Sequence, residues 1–251
     1  MVGNGSTERV SVLGCPVDAL DMPETVERCL ELIDRGRPAQ HVVVNAAKLV
    51  EFNRNERMAQ VIRNCELVNA DGQSIVWAAR ILGRELPERV AGIDLMYELL
   101  AVAARRGLRV FLLGARPEVL TDATRRLEEE YPGLVIAGTH HGWFDESEND
   151  EIVGAIRAAR PDMLFVAMSS PRKEYWLSEN LPRLGVPFAM GVGGALDVVA
   201  GVSRRAPRWM QRMGFEWLYR LAQEPRRMWR RYLVSNIRFT ALVVRERLAR
   251  R

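Results

Sequence analysis

Short, nearly unbroken apolar runs alternate along this chain with stretches whose apolar positions recur at helical spacing. The runs HVVVN (41–45), ELVNA (66–70), RVFLLG (109–114), LVIAGTH (134–140), MLFVAM (163–168) and PFAMGVG (187–193) have the composition of buried strands. Helical patterns fill the intervals: 23–35, from 45 through Asn64, 73–82, 93–105, 118–130, 150–159 and 172–180. VSVLG and PVDAL, flanking Gly14–Cys15, predict a small antiparallel hairpin at the start. Beyond Gly201 no strand pattern follows. Ala206–Pro207 opens one predicted helix to about Gln223, and Pro225 opens another to Arg247.

Strand–helix alternation at this spacing predicts an α/β fold, a Rossmann-like and mostly parallel sheet with helices on both faces. Residues 1–201 are expected to form that α/β domain and 202–251 a helical, basic appendage. Charge sharpens the boundary. From Val202 onward the chain holds 14 Arg and 3 Glu, whereas the preceding residues hold 22 basic and 29 acidic side chains. A net-acidic body thus carries a strongly cationic tail that is also rich in tryptophan, at Trp209, Trp217 and Trp229. Arg227, Arg230 and Arg231 fall on one face of the last helix. Such a tail suits phosphates, an anionic membrane surface or nucleic acid. The acidic body and the lack of a nucleic-acid recognition motif disfavour the last. No apolar run approaches the roughly 18 residues of a spanning helix, and no signal-peptide pattern opens the chain. Three cysteines without metal-ligand spacing fit a reducing compartment. The expected location is cytoplasmic, peripheral on the inner face of the membrane.

In parallel α/β sheets ligands bind where strands end and loops begin, so the polar strand ends are the candidate chemistry. Asn45 follows HVVV, and Asp71 closes the strand in NADGQS. Asp71 is placed either as a helix N-cap or as a general base at the sheet mouth. In SSPRKEYW, Lys173 lies in a first helical turn, where its charge opposes the helix dipole and an anionic ligand would offset it. GVGGALDVVAG (191–201) brings Gly193, Gly194 and Asp197 to a helix start, a setting for phosphate or ribose as well as for tight packing. It is not the dinucleotide fingerprint, because Leu196 stands where the third glycine belongs; a nicotinamide-dependent oxidoreductase is disfavoured accordingly. Arg89 sits in a loop within LPERVAGIDL, and Trp143, in THHGWF, is placed to stack a planar base or to fill core. His140 and His141 make no recognisable metal site, and no Asp-x-Asp metal motif is present. No metal or cofactor is expected.

Taken in order from about Ser11 to Phe239, VVNAAKL, NADGQSIVWAARILG, LPERVAGIDL, HGWF, SSPRKEYW, GVGGALDVVAG and RAPRWM…EWLYRLAQEPRRMWRRYL resemble the WecG/TagA/CpsF family of bacterial glycosyltransferases. The resemblance implies an inverting, metal-independent transfer from a UDP-sugar to a sugar on a polyprenyl (undecaprenyl) diphosphate, in teichoic-acid or cell-surface polysaccharide synthesis. It implies Asp71 as base with Asn45 beside it, Trp143, Lys173, Gly193, Gly194 and Asp197 as donor contacts, and Arg89, Arg220, Arg227, Arg230 and Arg231 facing diphosphate. It also implies self-association into a homo-oligomer. Two positions depart from the family pattern: Lys173 replaces a usual Gln, and Val43 stands where several members have Thr. The lysine raises the expectation of either an acidic donor, such as a uronate, or a diphosphate contact.

Overall fold

The computed structural model describes residues 8–214, 216–223 and 225–250, with side chains given except at 208, 212, 220 and 225–232. In chain order the elements are β1 (Arg9–Val12), β2 (Cys15–Asp18), α1 (Met22–Asp34), β3 (Ala39–Val44), α2 (Ala46–Phe52), α3 (Glu56–Arg63), β4 (Leu67–Ala70) and α4 (Gln73–Ile81). There follow α5 (Gly92–Arg106), β5 (Arg109–Gly114), α6 (Pro117–Glu130), β6 (Val135–His140), a 3-10 turn (Glu146–Glu148), α7 (Asn149–Ala159), β7 (Met163–Ala167), α8 (Arg172–Leu184) and β8 (Phe188–Gly191). The chain finishes with α9 (Ala195–Val199), α10 (Arg208–Arg212), α11 (Glu216–Gln223) and α12 (Pro225–Ala249). The hairpin β1–β2 is antiparallel, and the six remaining strands form a parallel sheet in the order β4-β3-β8-β7-β5-β6, flanked by helices. This is the α/β, Rossmann-like architecture the patterning predicts. Strands β3 and β7 are buried throughout, as expected of inner parallel strands, while the edge strand β6 is half-buried and carries Gly138 and Thr139.

Two predicted helices are broken. The segment after Asn45 divides at Asn53–Asn55 because asparagine side chains take over the backbone groups there. Asn53 Nδ2 donates to the Leu13 and Leu49 carbonyls at 3.1 and 2.9 Å, and Asn55 Oδ1 accepts from the Met58 amide at 3.2 Å as the N-cap of α3. The segment after Pro207 divides at Gly214, whose φ of +75° ends α10 in the left-handed region.

The chain groups into two compact units, one built from Met1–Glu24, Val43–Ala91 and Arg205–Arg251, the other from Thr25–Val42 and Gly92–Arg204. Strand β3 contributes to both. In the first unit, Asp18 is buried and accepts from Arg9 Nε at 2.9 Å and from the Val68 amide at 2.7 Å, tying the hairpin to β4. Helix α12 returns onto α2 and buries Ser235, Phe239 and Val243; Glu246 pairs with Arg84 at 3.2 Å. The C-terminal helices therefore belong to the same unit as residues 43–91. The thiols of Cys15 and Cys29 are buried, which pushes Cys15 up to about 12 and Cys29 well above the ordinary range, so neither is a nucleophile at neutral pH.

In the second unit, Phe111, Leu113, Leu164, Val166, Trp176 and Leu177 form the core between sheet and helices. Strands β5 and β7 touch at their ends without an intervening side chain. A Cβ on Gly114 would lie 2.4 Å from the Ala167 carbonyl oxygen, and Gly114 has φ +124°. Gly114→Ala is expected to cost about 3 kcal/mol or more of stability, from overpacking against backbone and a strained φ together. Urea unfolding of the variant checks this, and a change within 0.5 kcal/mol of the parent would contradict it.

Candidate active site

In the first unit, the Asp71 amide donates to the Val44 carbonyl at 2.8 Å, extending the β3–β4 pairing one residue past the end of β4. That bond sets Asp71 beside Asn45, the residue after Val44. Gly72 follows, and a Cβ there would lie 3.9 Å from Asn45 Cβ and 3.6 Å from Ser74 Oγ. Asn45 caps α2, its Oδ1 accepting from the Lys48 amide at 3.1 Å. The N-cap of α4 is Gly72, so Asp71 is not the N-cap residue of that helix.

The loop after α4 runs back along β4, the Val90 amide donating to the Ala70 carbonyl at 2.9 Å. Arg89 is the next residue back, and its Nη1 lies 3.3 Å from Glu216 Oε2 at the start of α11. Arg205 Nε is 3.9 Å from the other carboxylate oxygen. One carboxylate thus serves two largely buried guanidiniums. The turn between α10 and α11 also presses on α4, since a Cβ on Gly214 would lie 2.7 Å from Gln73 Cβ. Helix α11 is in this way fixed next to the segment that follows Asp71. Arg220 occupies α11, and Arg227, Arg230 and Arg231 occupy α12, but their side chains lie outside the described residues.

In the second unit the remaining candidates gather at the carboxyl ends of β6, β7 and β8. The connections from β5 and β7 leave in opposite directions, since β6 lies on one side of β5 and β8 beyond β7, which makes this end a topological switch point. Backbone comes close here. Gly142 donates to the Ala115 carbonyl at 2.9 Å, and a Cβ on it would lie 3.0 Å from Gly114 Cα. Trp143, next in the chain, is 70% exposed and so is not core. Gly193 has φ +57° with open space where a side chain would be, and Gly194 is the N-cap of α9. A Cβ on Gly194 would lie 3.5 Å from Asp197 Oδ2, so that carboxylate faces the glycine turn.

Lys173 is buried, and its stem crosses Gly191: a Cβ there would be 2.9 Å from both Lys173 Cδ and Cε. Its ammonium lies 2.8 Å from the carboxylate of Glu174, which is 1% exposed. The opposition between a lysine and the helix start, which pointed toward an anionic ligand, is met within the protein by this neighbour. Three contributors escape sequence reasoning: Glu174, Glu216 and Arg172. Glu174 stands next to Lys173 and was open to detection as a counter-charge. Glu216 pairs with Arg89 from far along the chain, and Arg172 binds main-chain carbonyls; neither leaves a local signal. His140 Nδ1 lies 2.8 Å from the His141 carbonyl, a local contact. Among the described residues no group of three or more His, Cys, Asp or Glu is arranged to hold a metal ion.

Parallel α/β sheets place ligands where strands end and loops begin, which is where the candidate residues of each unit lie. Family comparison makes the assignment specific: the chain belongs to the glycosyl transferase WecG/TagA/CpsF family, whose model matches residues 10–251. It is 33% identical over 215 residues to the N-acetylglucosaminyldiphosphoundecaprenol N-acetyl-beta-D-mannosaminyltransferase of Bacillus spizizenii, covering 86% of this chain and 82% of the relative. The enzyme of the same name from Staphylococcus aureus strain MW2 is 32% identical over 227 residues, covering 90% and 89%. The protein is a glycosyltransferase, and the nucleic-acid-binding alternative has no support.

Removing the carboxylate shared by Arg89 and Arg205 is expected to destabilise the protein by about 1.5–3 kcal/mol, the usual worth of hydrogen bonds to charged groups. Denaturant unfolding of Glu216→Ala measures it; an unchanged midpoint would show that α11 is held by other contacts.

Proposed function

We propose that this protein transfers an N-acetylmannosamine-type sugar from a UDP-sugar to N-acetylglucosamine carried on undecaprenyl diphosphate, in bacterial cell-wall polymer synthesis. The observation that carries the reading is the placement of Asp71 beside Asn45 at adjoining strand ends, in a chain whose relatives are named for that transfer. The relatives form a β linkage, and from an α-linked nucleotide sugar a β product is the outcome of one inverting displacement. The acceptor hydroxyl attacks the anomeric carbon as the bond to UDP breaks, and its proton passes to the Asp71 carboxylate. Asn45, whose Oδ1 is held by the Lys48 amide, offers its side-chain N–H groups to the sugar. The loops bearing Trp143, Lys173, Gly193, Gly194 and Asp197 hold the nucleotide. Charge building on the departing diphosphate is met by the arginines of α11 and α12, which remain cationic at any working pH, and by Arg89 only as far as it shares its guanidinium with Glu216. The buried Lys173–Glu174 pair favours a neutral donor over a uronate, because the ammonium already faces a carboxylate.

Asp71→Asn is expected to lower turnover about 10²–10⁴-fold, the usual worth of a positioned base, while UDP affinity stays within twofold. Near-parental turnover by that variant, assayed with lipid-linked acceptor, would remove Asp71 from the reaction.

The same reading sets the protein against an anionic membrane. Trp209 on α10, Met213 just after it, Trp217 and Leu218 on α11, and Leu233, Ile237, Val244 and Leu248 on α12 are all exposed. Arg238, Arg245 and Arg247 lie on the same helix as the last four and are themselves exposed. Apolar and cationic side chains together suit the headgroup boundary, where each arginine adds roughly 1 kcal/mol. Among the described residues no helix is long and apolar enough to cross a membrane. The double variant Trp209→Ala, Trp217→Ala is expected to lose about tenfold or more in affinity for phosphatidylglycerol vesicles, consistent with removing two interfacial anchors. Cosedimentation measures this, and equal binding by variant and parent would discount these helices as the contact.

A further inference from the structure

We propose that Arg172 is a positioning residue that clamps the loop after β6 so that Trp143 stands out as a stacking platform for the donor's nucleobase. The proposal rests on the nucleotide-sugar reading above. Arg172 opens α8, and its guanidinium reaches the two carbonyls that flank Trp143: Nη1 donates to Gly142 O at 3.0 Å and Nη2 to Phe144 O at 2.7 Å. Its Cζ also lies 4.6 Å from the centroid of the Phe144 ring. That ring meets Trp176 edge-on at 6.3 Å, and Trp176 Nε1 donates to Asn149 Oδ1 at 2.7 Å, so the far side of the loop is anchored as well. On the near side, the Gly142 amide is bound to the Ala115 carbonyl at 2.9 Å. Residues 142 and 144 are therefore fixed, and the residue between them is a tryptophan left 70% exposed at the carboxyl end of the sheet.

An indole so exposed on a loop so firmly held has no packing purpose within its unit. What it offers is a flat π-face in a fixed orientation, which any planar base can use. Only a planar fork of donors spans two carbonyls while stacking on a ring, so arginine is the residue this clamp requires.

The test is a double-mutant cycle on the full chain, read by calorimetric titration with UDP and with inorganic pyrophosphate, which has no base. Arg172→Ala is expected to weaken UDP about tenfold, near the lower end of what a base–aromatic stack supplies, and to leave pyrophosphate within twofold. Arg172→Lys is expected to weaken UDP similarly, because one ammonium cannot replace the fork. In a Trp143→Ala background, which itself weakens UDP about tenfold, Arg172→Ala is expected to add less than twofold. In turnover assays the loss should fall on donor KM rather than kcat. If Arg172→Ala does not fold, the lysine variant carries the same cycle. Full additivity of the two substitutions, unchanged UDP affinity in either arginine variant, or a parallel loss of pyrophosphate would overturn the proposal while UDP binding by the parent still upholds the donor reading. A parent protein that binds no UDP would sink that reading itself, and this one with it.

Discussion

One hydrogen bond, from the Asp71 amide to the Val44 carbonyl, determines how the first unit presents its chemistry. It adds a rung to the strand pairing after β4 has ended, so two polar side chains from separate strands emerge side by side. Everything that distinguishes this mouth follows from that rung. Gly72, not Asp71, stands at the N-cap of α4, with φ +148° and no side-chain cap hydrogen bond. A bond between backbone atoms holds such a position more firmly than a side-chain contact does, since it moves only if the sheet moves. Rigid placement of this kind is what a general base requires, and Asp71 is proposed as one.

The second unit achieves order at its strand ends by the opposite means, which is absence of side chains. Gly114, Gly142 and Gly191 each lie where a methyl group would collide with backbone or with the Lys173 stem. Main chain and lysine occupy that volume instead, and the loops above them are drawn close to the sheet. The buried Lys173–Glu174 pair shows the electrostatic side of this economy. Two charges removed from water are tolerable when they neutralise one another at hydrogen-bonding distance.

Much of this was legible in the residues. Strands β5 and β7 announce themselves as continuous apolar runs, and each predicted strand core is found in the sheet. Helix interruptions were less visible, because apolar periodicity runs on across Asn53–Asn55 while asparagine side chains quietly redirect the backbone. Gly214 broke a helix with its left-handed φ, and the reason no side chain fits there, a Cβ that would lie 2.7 Å from Gln73 Cβ, is a fact no local window contains. At the site, strand-end position alone singled out Asn45, Asp71 and Lys173. The partners that hold candidate residues in place, Glu216 for Arg89 and Arg172 for the Trp143 loop, act across long stretches of sequence or on carbonyls that every residue possesses. Such contacts have no compositional signature.

The first unit is assembled from three separate stretches, and its α2 surface is covered by Phe239 and Val243. During synthesis the ribosome delivers residues 43–91 well before those two side chains. The second unit's strands β5 to β8 are all translated in between. Nascent chains must therefore hold an uncovered helix face until α12 emerges, a wait of roughly ten seconds or more at ordinary translation speed. In a glycosyltransferase built this way, the unit that holds Asp71 is begun before the strands β5 to β8 of the other unit and finished after them.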